Sequence, residues 1–301
     1  MTTTTTTRIV IASRPSEWEQ LLLQHGTAGQ ARFFLEERGI DPEPLVERDR
    51  ILAKAISQVE QWVPTEWRRA WIRREEFATF LFEPEDIVVA VGQDGLVANL
   101  AKYLEGQALI GINPLDQEGS GPLTRVPIEG FGEILPQVVS GQAPIEERTM
   151  VHAHLDDGQS LVALNEIFVG HKSHQSARYI LEDGRGNRQF QSSSGLIVSS
   201  GTGATGWASS ISKERNSRLP LPKPTENRLA YFVREAWPGG GFEATLTEGT
   251  ITKKRALRLS SRMEEGGVVF GDGIEKDCLH LAWGQDIQIG IARKKLRLVL
   301  S

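Results

Sequence analysis

Two patterns predict an α/β first half followed by an all-β second half. Early in the chain, short apolar runs alternate with stretches of helical periodicity, as parallel strands joined by helices require. From about Glu146 the texture changes to short alternating stretches separated by Asp-Gly turns, as in antiparallel strands and hairpins. The expected division is a disordered threonine tail over 1–7, an α/β unit over 8–145, a β-rich unit over 146–285 and a C-terminal segment over 286–301.

The elements follow in order. Arg8 to Ala12 reads as a first strand, and Glu17–His25, Ala28–Arg38 and Val46–Val63 read as helices. The segment Thr65 to Arg74 interleaves tryptophan and arginine, a mix that can bind phosphate or bases, and is expected instead to be a helix with Trp67 and Trp71 inward at i,i+4 and arginines outward. Ile87 to Val91 is an apolar strand that stops at the turn Gly92-Gln93-Asp94-Gly95. Leu96, Leu100 and Leu104 then mark an amphipathic stretch, and Ala108 to Ile112 is a second apolar strand. This is a βαβ unit, which makes the first half Rossmann-like with parallel strands. Residues 113–127 read as a loop and 130–139 as a short helix. In the second half, strands are expected at 151–155, 161–164, 177–181, 196–198, 244–246, 256–259, 268–270, 286–291 and 296–300, which together suggest a sandwich.

Composition narrows the function classes. Hydrophobic residues make up 39% of the 301 positions and charged residues 24%, ordinary values for a globular chain with an ample core. A net charge of −5 leaves no basic footprint for nucleic acid. No apolar run is long enough to span a membrane, and the threonine tail lacks the basic and apolar regions of a signal peptide. Cys278 is the lone cysteine, which excludes an internal disulfide and agrees with a reducing, cytoplasmic setting. His152, His154, His171 and His174 lack any metal-binding frame, so no protein metal site is expected.

The chemistry concentrates at strand ends. In parallel sheets ligands bind at the carboxyl ends of the strands. Asp94 sits there, flanked by glycines that let a ligand approach backbone N–H groups, although Asp-Gly is also a common turn pair. Asn165 and Glu166 follow the apolar run 161–164; they offer a donor and acceptors that can read an adenine edge or a ribose, or they are a solvated strand-end pair. Residues 192–205 are dense in Ser, Thr and Gly and follow the same logic for phosphate or ribose; the plain alternative is a flexible loop. Asp272-Gly273 reads as a hairpin turn.

Four motifs in order carry a resemblance. Gly92-Gln93-Asp94-Gly95, Gly111-Ile112-Asn113, Asn165-Glu166 and the run from Gly195 to Trp207 resemble the NAD kinase family. That family has a Gly-Gly-Asp-Gly turn, a Gly-Ile-Asn strand end, an Asn-Glu or Asn-Asp pair and an Asp-Gly-Leu-Ile-Val-Ser-Thr-Pro-Thr-Gly-Ser-Thr-Ala-Tyr run. The resemblance covers about Asp86 to the C-terminus. It implies an α/β unit followed by a β-sandwich, with the final segment packing back near the first domain. It implies that Asp94 is the catalytic base that takes the proton from the 2′-hydroxyl of the adenosine ribose of NAD. Gly92, Gln93, Gly95 and Asn113 would then serve the phosphates of ATP, which carries Mg²⁺. Asn165, Glu166, Ser194, Thr202, Thr205, Gly206, Trp207 and Ser210 would bind the NAD substrate, with Trp207 offering an aromatic face to a base.

Two departures matter. Gln93 replaces the family's second glycine, which is costly if that position needs positive φ or close phosphate approach. Ser194 replaces an aspartate that contacts the nicotinamide half. The expected activity is therefore ATP-dependent phosphorylation of NAD to NADP. The alternatives are a related kinase acting on another hydroxyl, suggested by Ser194, and a nucleotide-binding protein without catalysis, suggested by Gln93. By the same resemblance the chain forms a homo-oligomer, a dimer or a tetramer.

Overall fold

The structure is a computed structural model and describes residues 7–115 and 121–301. Most of the threonine tail and part of the loop expected over 113–127 lie outside the described residues. The chain divides into two compact units, one comprising residues up to Glu146 with Arg297–Ser301, the other Glu147–Leu296.

The first unit begins with β1 (Arg8–Ser13), then helices α1 (Glu17–His25), α2 (Ala28–Glu36) and α3 (Glu43–Trp62). Ser16 starts α1 with a capping box: its hydroxyl accepts from the Glu19 N–H while the Glu19 carboxylate accepts from the Ser16 N–H. β2 (Arg68–Arg73), β3 (Ile87–Val91), α4 (Asp94–Ala101), β4 (Ala108–Ile112) and α5 (Phe131–Val139) follow. The sheet order is β2-β1-β3-β4, and residues 297–298 of the last strand pair with β4; every pairing is parallel. All positions of β3 and β4 are buried, which explains their unbroken apolar sequences. Helices α3 and α5 cover the sheet through Leu52, Ala55, Val59, Phe131, Ile134 and Leu135.

The expected helix over Thr65–Arg74 is a strand. β2 pairs residue for residue with β1 from Arg8↔Arg68 to Ser13↔Arg73. Ile72 is buried while Trp71 is 54% exposed. As an edge strand β2 buries only Ile72, and the i,i+4 tryptophan spacing is not a helix face. Its indole N–H donates to Glu60 on α3 instead.

The second unit is a two-sheet sandwich built from β5 (Ile145–Leu155), β6 (Ser160–Ala163), β7 (Glu166–His171), β8 (Ala177–Glu182), β9 (Arg188–Ser193), β10 (Leu196–Ser199), helix α6 (Trp207–Glu214), β11 (Arg228–Val233), β12 (Glu248–Thr252), β13 (Leu257–Ser261), β14 (Gly267–Gly271), β15 (Leu279–His280) and β16 (Asp286–Val299). One layer runs β12-β11-β10-β7-β14-β15. The other runs β16-β13-β8-β9, with β5 joining β16 to β6. Inward residues of both layers, such as Val169, Leu196 and Val198 from one and Tyr179, Leu259 and Ile289 from the other, form a single core.

The runs expected at 286–291 and 296–300 form one strand, β16. The strand expected at 244–246 is absent because the N–H groups of Thr245 and Leu246 donate to the Gln189 side-chain amide rather than to a ladder. The ladder forms later, at β12.

Candidate functional site

The first group of residues lies at the carboxyl ends of β1, β3 and β4. Parallel register sets Ala12 beside Ala90 and Val91 beside Ile112, so the chain leaves all three strands at one edge. Gly92 takes φ 154° and donates its N–H to the Ile112 carbonyl at 2.8 Å. Gln93 is extended, at φ −78° and ψ 164°, and caps α4 with its backbone. The conformation that favours glycine is therefore absent at position 93, and the expected strain does not arise. A Cβ on Gly95 would meet nothing within 4 Å, so the first turn of α4 is open beside Gly95. Free N–H groups at a helix N-terminus suit phosphate.

A cavity of about 630 Å³ opens at this edge. Gly92, Gln93 and Asn113 line it together with Arg14, Arg48 and Arg74. Arg14 Nη2 donates to Gln93 Oε1 at 2.6 Å. Arg48 approaches Glu17 at 3.9 Å with both side chains largely exposed, a weak pairing that a phosphate can displace. Among the described residues Arg74 has no carboxylate partner. Arginine suits phosphate because its planar fork donates two parallel hydrogen bonds. The three arginines come from the end of β1, from α3 and from the turn after β2, segments far apart in sequence. Sequence reasoning did not assign them to the site; the available signals were Arg14, directly after a strand that ends at the ligand-binding edge, and Arg74, at the end of a tryptophan–arginine segment able to bind phosphate.

The Asp94 carboxylate turns toward the loop that follows β4. Oδ1 accepts from the Thr124 hydroxyl at 2.8 Å and the Thr124 N–H at 3.1 Å, and Oδ2 accepts from the Leu123 N–H at 3.3 Å. That loop can lie close because Gly111 has no side chain: a Cβ there would stand 2.2 Å from the Leu123 carbonyl.

The second group lies in the sandwich unit. Asn165 and Glu166 stand at the start of β7, and the chain after β10 wraps over them. The Ser200 N–H donates to the Asn165 carbonyl at 2.8 Å, and the Thr202 N–H donates to Ser200 Oγ at 3.1 Å. Gly203 is required here, since a Cβ would stand 2.3 Å from the Asn165 carbonyl. The Thr202 hydroxyl is buried without a hydrogen-bond partner, an arrangement buried polar atoms seldom adopt unless a ligand completes it. Asp272 is more than a hairpin residue: its carboxylate accepts from the N–H groups of Leu164 and Asn165 at 3.0 and 2.7 Å. Burial and then the Asp272 charge push the Glu166 carboxyl up to about 7.

The remaining residues spread outward from this point. Thr205 donates its hydroxyl to the Thr202 carbonyl at 3.3 Å, and Ser210 donates to the Gly206 carbonyl at 3.4 Å. Trp207 begins α6, with its ring stacked on Phe168 at 5.9 Å and the Arg234 guanidinium over it at 4.9 Å. Ser194 lies elsewhere, in the turn before β10, where its N–H donates to the Arg234 carbonyl. Glu166 pairs with Ser199, at the far end of β10 from Ser194. The structure thus brings Asn165, Glu166 and Thr202 together and leaves Ser194 apart from them. No group of three or more potential metal-ligand side chains occurs among the described residues.

Comparison with known proteins bears on the fold and on overall similarity. No family model matches the chain. An NAD kinase of Paraburkholderia phytofirmans is 33% identical over 131 residues, covering 41% of this chain and 42% of that protein. An NAD kinase of Chlorobaculum tepidum is 29% identical over 199 residues, covering 64% and 65%. The first match thus spans less than half the length of its relative. Among solved structures, an NAD kinase from Archaeoglobus fulgidus in complex with ATP matches with a TM-score of 0.58 and 18% identity, covering 97% of this chain and 93% of that one. Yeast NADH kinase complexed with NADH matches with a TM-score of 0.61 and 13% identity, covering 99% and 84%. The chain therefore has the two-domain α/β plus β-sandwich fold that these kinases share. In sequence it is similar to proteins named NAD kinase over part of its length.

Proposed function

We propose that this chain is a kinase that transfers the terminal phosphoryl group of ATP to the 2′-hydroxyl of the adenosine ribose of NAD, giving NADP. The observation that carries the reading is the cavity at the β3 turn, where three guanidinium groups and the open start of α4 offer a site for a chain of phosphates. Similarity to enzymes named NAD kinase supports NAD as the acceptor.

In this reading Asp94 takes the hydroxyl proton as the ribose oxygen attacks the terminal phosphorus. The new P–O bond forms as the bond to the bridging oxygen breaks, and ADP leaves with the electron pair. Arg14, Arg48 and Arg74 offset the phosphate charge, which supplies much of the acceleration in such transfers. Gly92, Gln93, Gly95 and Asn113 shape the phosphate turn. The ATP phosphates themselves would hold Mg²⁺, which would neutralise part of their charge. Asn165, Glu166 and Thr202 bind the adenine nucleotide part, with Thr205, Gly206 and Ser210 supporting the turn around them. We assign the protein to the cytoplasm, in keeping with its unpaired Cys278, and to a homo-oligomeric assembly.

A second reading has one observation behind it. Ser194 gives no charge at its turn and stands apart from Glu166, which favours an acceptor other than NAD. The test is incubation of the purified protein with ATP, Mg²⁺ and NAD. NADP formation that disappears in Asp94→Asn supports the first reading. ADP release with another nucleoside or polyol acceptor, and none with NAD, replaces it with the second.

A further inference from the structure

Thr124 is fully buried although it carries a hydroxyl, and that hydroxyl makes two hydrogen bonds. It accepts from the Gly121 N–H at 3.2 Å and donates to Asp94 Oδ1 at 2.8 Å. A hydroxyl has one proton, so the Gly121 contact fixes which way that proton points. The Leu123 and Thr124 N–H groups complete the grip on both carboxylate oxygens. Gly121 closes the fourth side, since a Cβ there would lie 2.5 Å from Oδ1 and 2.7 Å from Oδ2. Asp94 thus has its side-chain torsions set by the loop after β4 rather than by its own helix.

We propose that Thr124 is the positioning residue for Asp94, and that Gly121 is the space-setting residue beside it. The proposal rests on the reading of Asp94 as the base. The hydroxyl holds Oδ1, so the remaining lone pairs of the carboxylate keep one direction relative to the phosphate turn. A misplacement of about 1 Å in a reacting group can cost on the order of 10²-fold in rate. Thr124→Val keeps the shape, removes the donor to Oδ1, and leaves the Gly121 N–H without its acceptor. Thr124→Ser restores the hydroxyl.

The test compares the parent, Thr124→Val, Thr124→Ser and Gly121→Ala. We expect Thr124→Val to lower kcat by about 10- to 100-fold with KM for ATP and NAD within threefold, and Thr124→Ser to recover most of that loss. Gly121→Ala, at a partly exposed loop position, should lower kcat in the same manner. Thermal melting and nucleotide titration count the folded molecules, so a folding defect is separated from a loss of turnover. Crystal structures of the parent and Thr124→Val give a readout that needs no activity: the Asp94 carboxylate should rotate out of its parent position. An unmoved carboxylate, or equal turnover for the valine and serine variants, overturns the proposal. If the parent itself makes no phosphorylated product, the kinase reading falls, and the carboxylate position still decides the role of Thr124.

Discussion

Arg14 and Gln93 form a hydrogen bond of 2.6 Å between the end of β1 and the turn after β3. The glutamine carbonyl oxygen is the acceptor, so the amide N–H₂ of Gln93 is left for another partner, while Arg14 keeps its remaining donors. The residue that breaks the glycine pattern of the turn therefore orients a guanidinium in the cavity. Gln93→Gly relieves no backbone strain, because Gln93 already has an ordinary φ of −78°. We expect it to free Arg14 and to raise KM for ATP by about 3- to 10-fold, the low end for an exposed hydrogen bond from a charged donor. Arg14→Ala should raise it further and flatten its dependence on salt. Steady-state kinetics at two ionic strengths checks both; an improved KM in Gln93→Gly would show that glycine is preferred there.

Asp94→Asn should reduce kcat by at least about 10². Two of the hydrogen bonds to the carboxylate come from backbone N–H groups, one to each oxygen. An amide nitrogen placed against either one meets a donor, so we also expect a lower melting temperature. Turnover within threefold of the parent would remove Asp94 from the base role.

Trp207 is engaged by Phe168 and Arg234 within its own unit. Trp207→Ala should lower unfolding free energy by about 3 kcal/mol, the low end for loss of a large aromatic side chain. Nucleotide affinity per folded molecule should change by less than about threefold. A loss of 1–3 kcal/mol in binding, roughly one base–aromatic stack, would instead put a base on the indole.

Glu166 gives a pH signature. Its carboxyl stands at about 7, raised from an ordinary 4.5 by burial and then by Asp272. The folded state therefore binds this proton more tightly than the unfolded chain. The contribution is complete below pH 4.5 and is lost as pH rises through 7. It amounts to on the order of 3 kcal/mol. Urea unfolding of the parent and of Glu166→Gln between pH 4.5 and 8 checks it: the parent should lose stability relative to the variant across that window. Asp272→Asn should move the loss to lower pH: with the like charge gone, Glu166 ionises more readily, its carboxyl falls back toward the ordinary value, and the loss across the window shrinks.

Arg8 and Asp86 anchor the opposite end of the sheet from the turn. Arg8 donates two hydrogen bonds to the Asp86 carboxylate at 2.8 and 2.6 Å, and the Asp86 side chain is fully buried. Asp86→Ala removes the guanidinium's buried partner and leaves it the Leu81 carbonyl and Glu83, so it should cost about 3 kcal/mol, the low end for breaking a buried pair. Glu83, 39% exposed beside Arg68, is the contrast: Glu83→Ala should leave the denaturant midpoint almost unchanged. Denaturant midpoints measure both.

The βαβ unit was legible because β3 and β4 are buried on both faces and so read as unbroken apolar runs. The helices of the first unit were legible from periodicity. β2 was not, since an edge strand with alternating arginines and tryptophans matches helical spacing equally well. The segments that became β7 and β11 lack flanking Asp-Gly signals and were passed over. At the site, the turn and Asp94 were visible as a local motif. Arg14, Arg48, Arg74 and Thr124 were not, because what gives each its role is a neighbour far along the chain.

Strand β16 supplies residues to both units, and its pairing with β4 begins only at Arg297. During synthesis, the first unit emerges with β4 as a bare, wholly apolar edge, and it waits for the whole sandwich to be made before that edge is covered. The nascent protein thus carries an adhesive flank for most of its translation. A gene cut after Glu146 would produce that exposed state permanently, so the two halves are separable on paper but not at the ribosome.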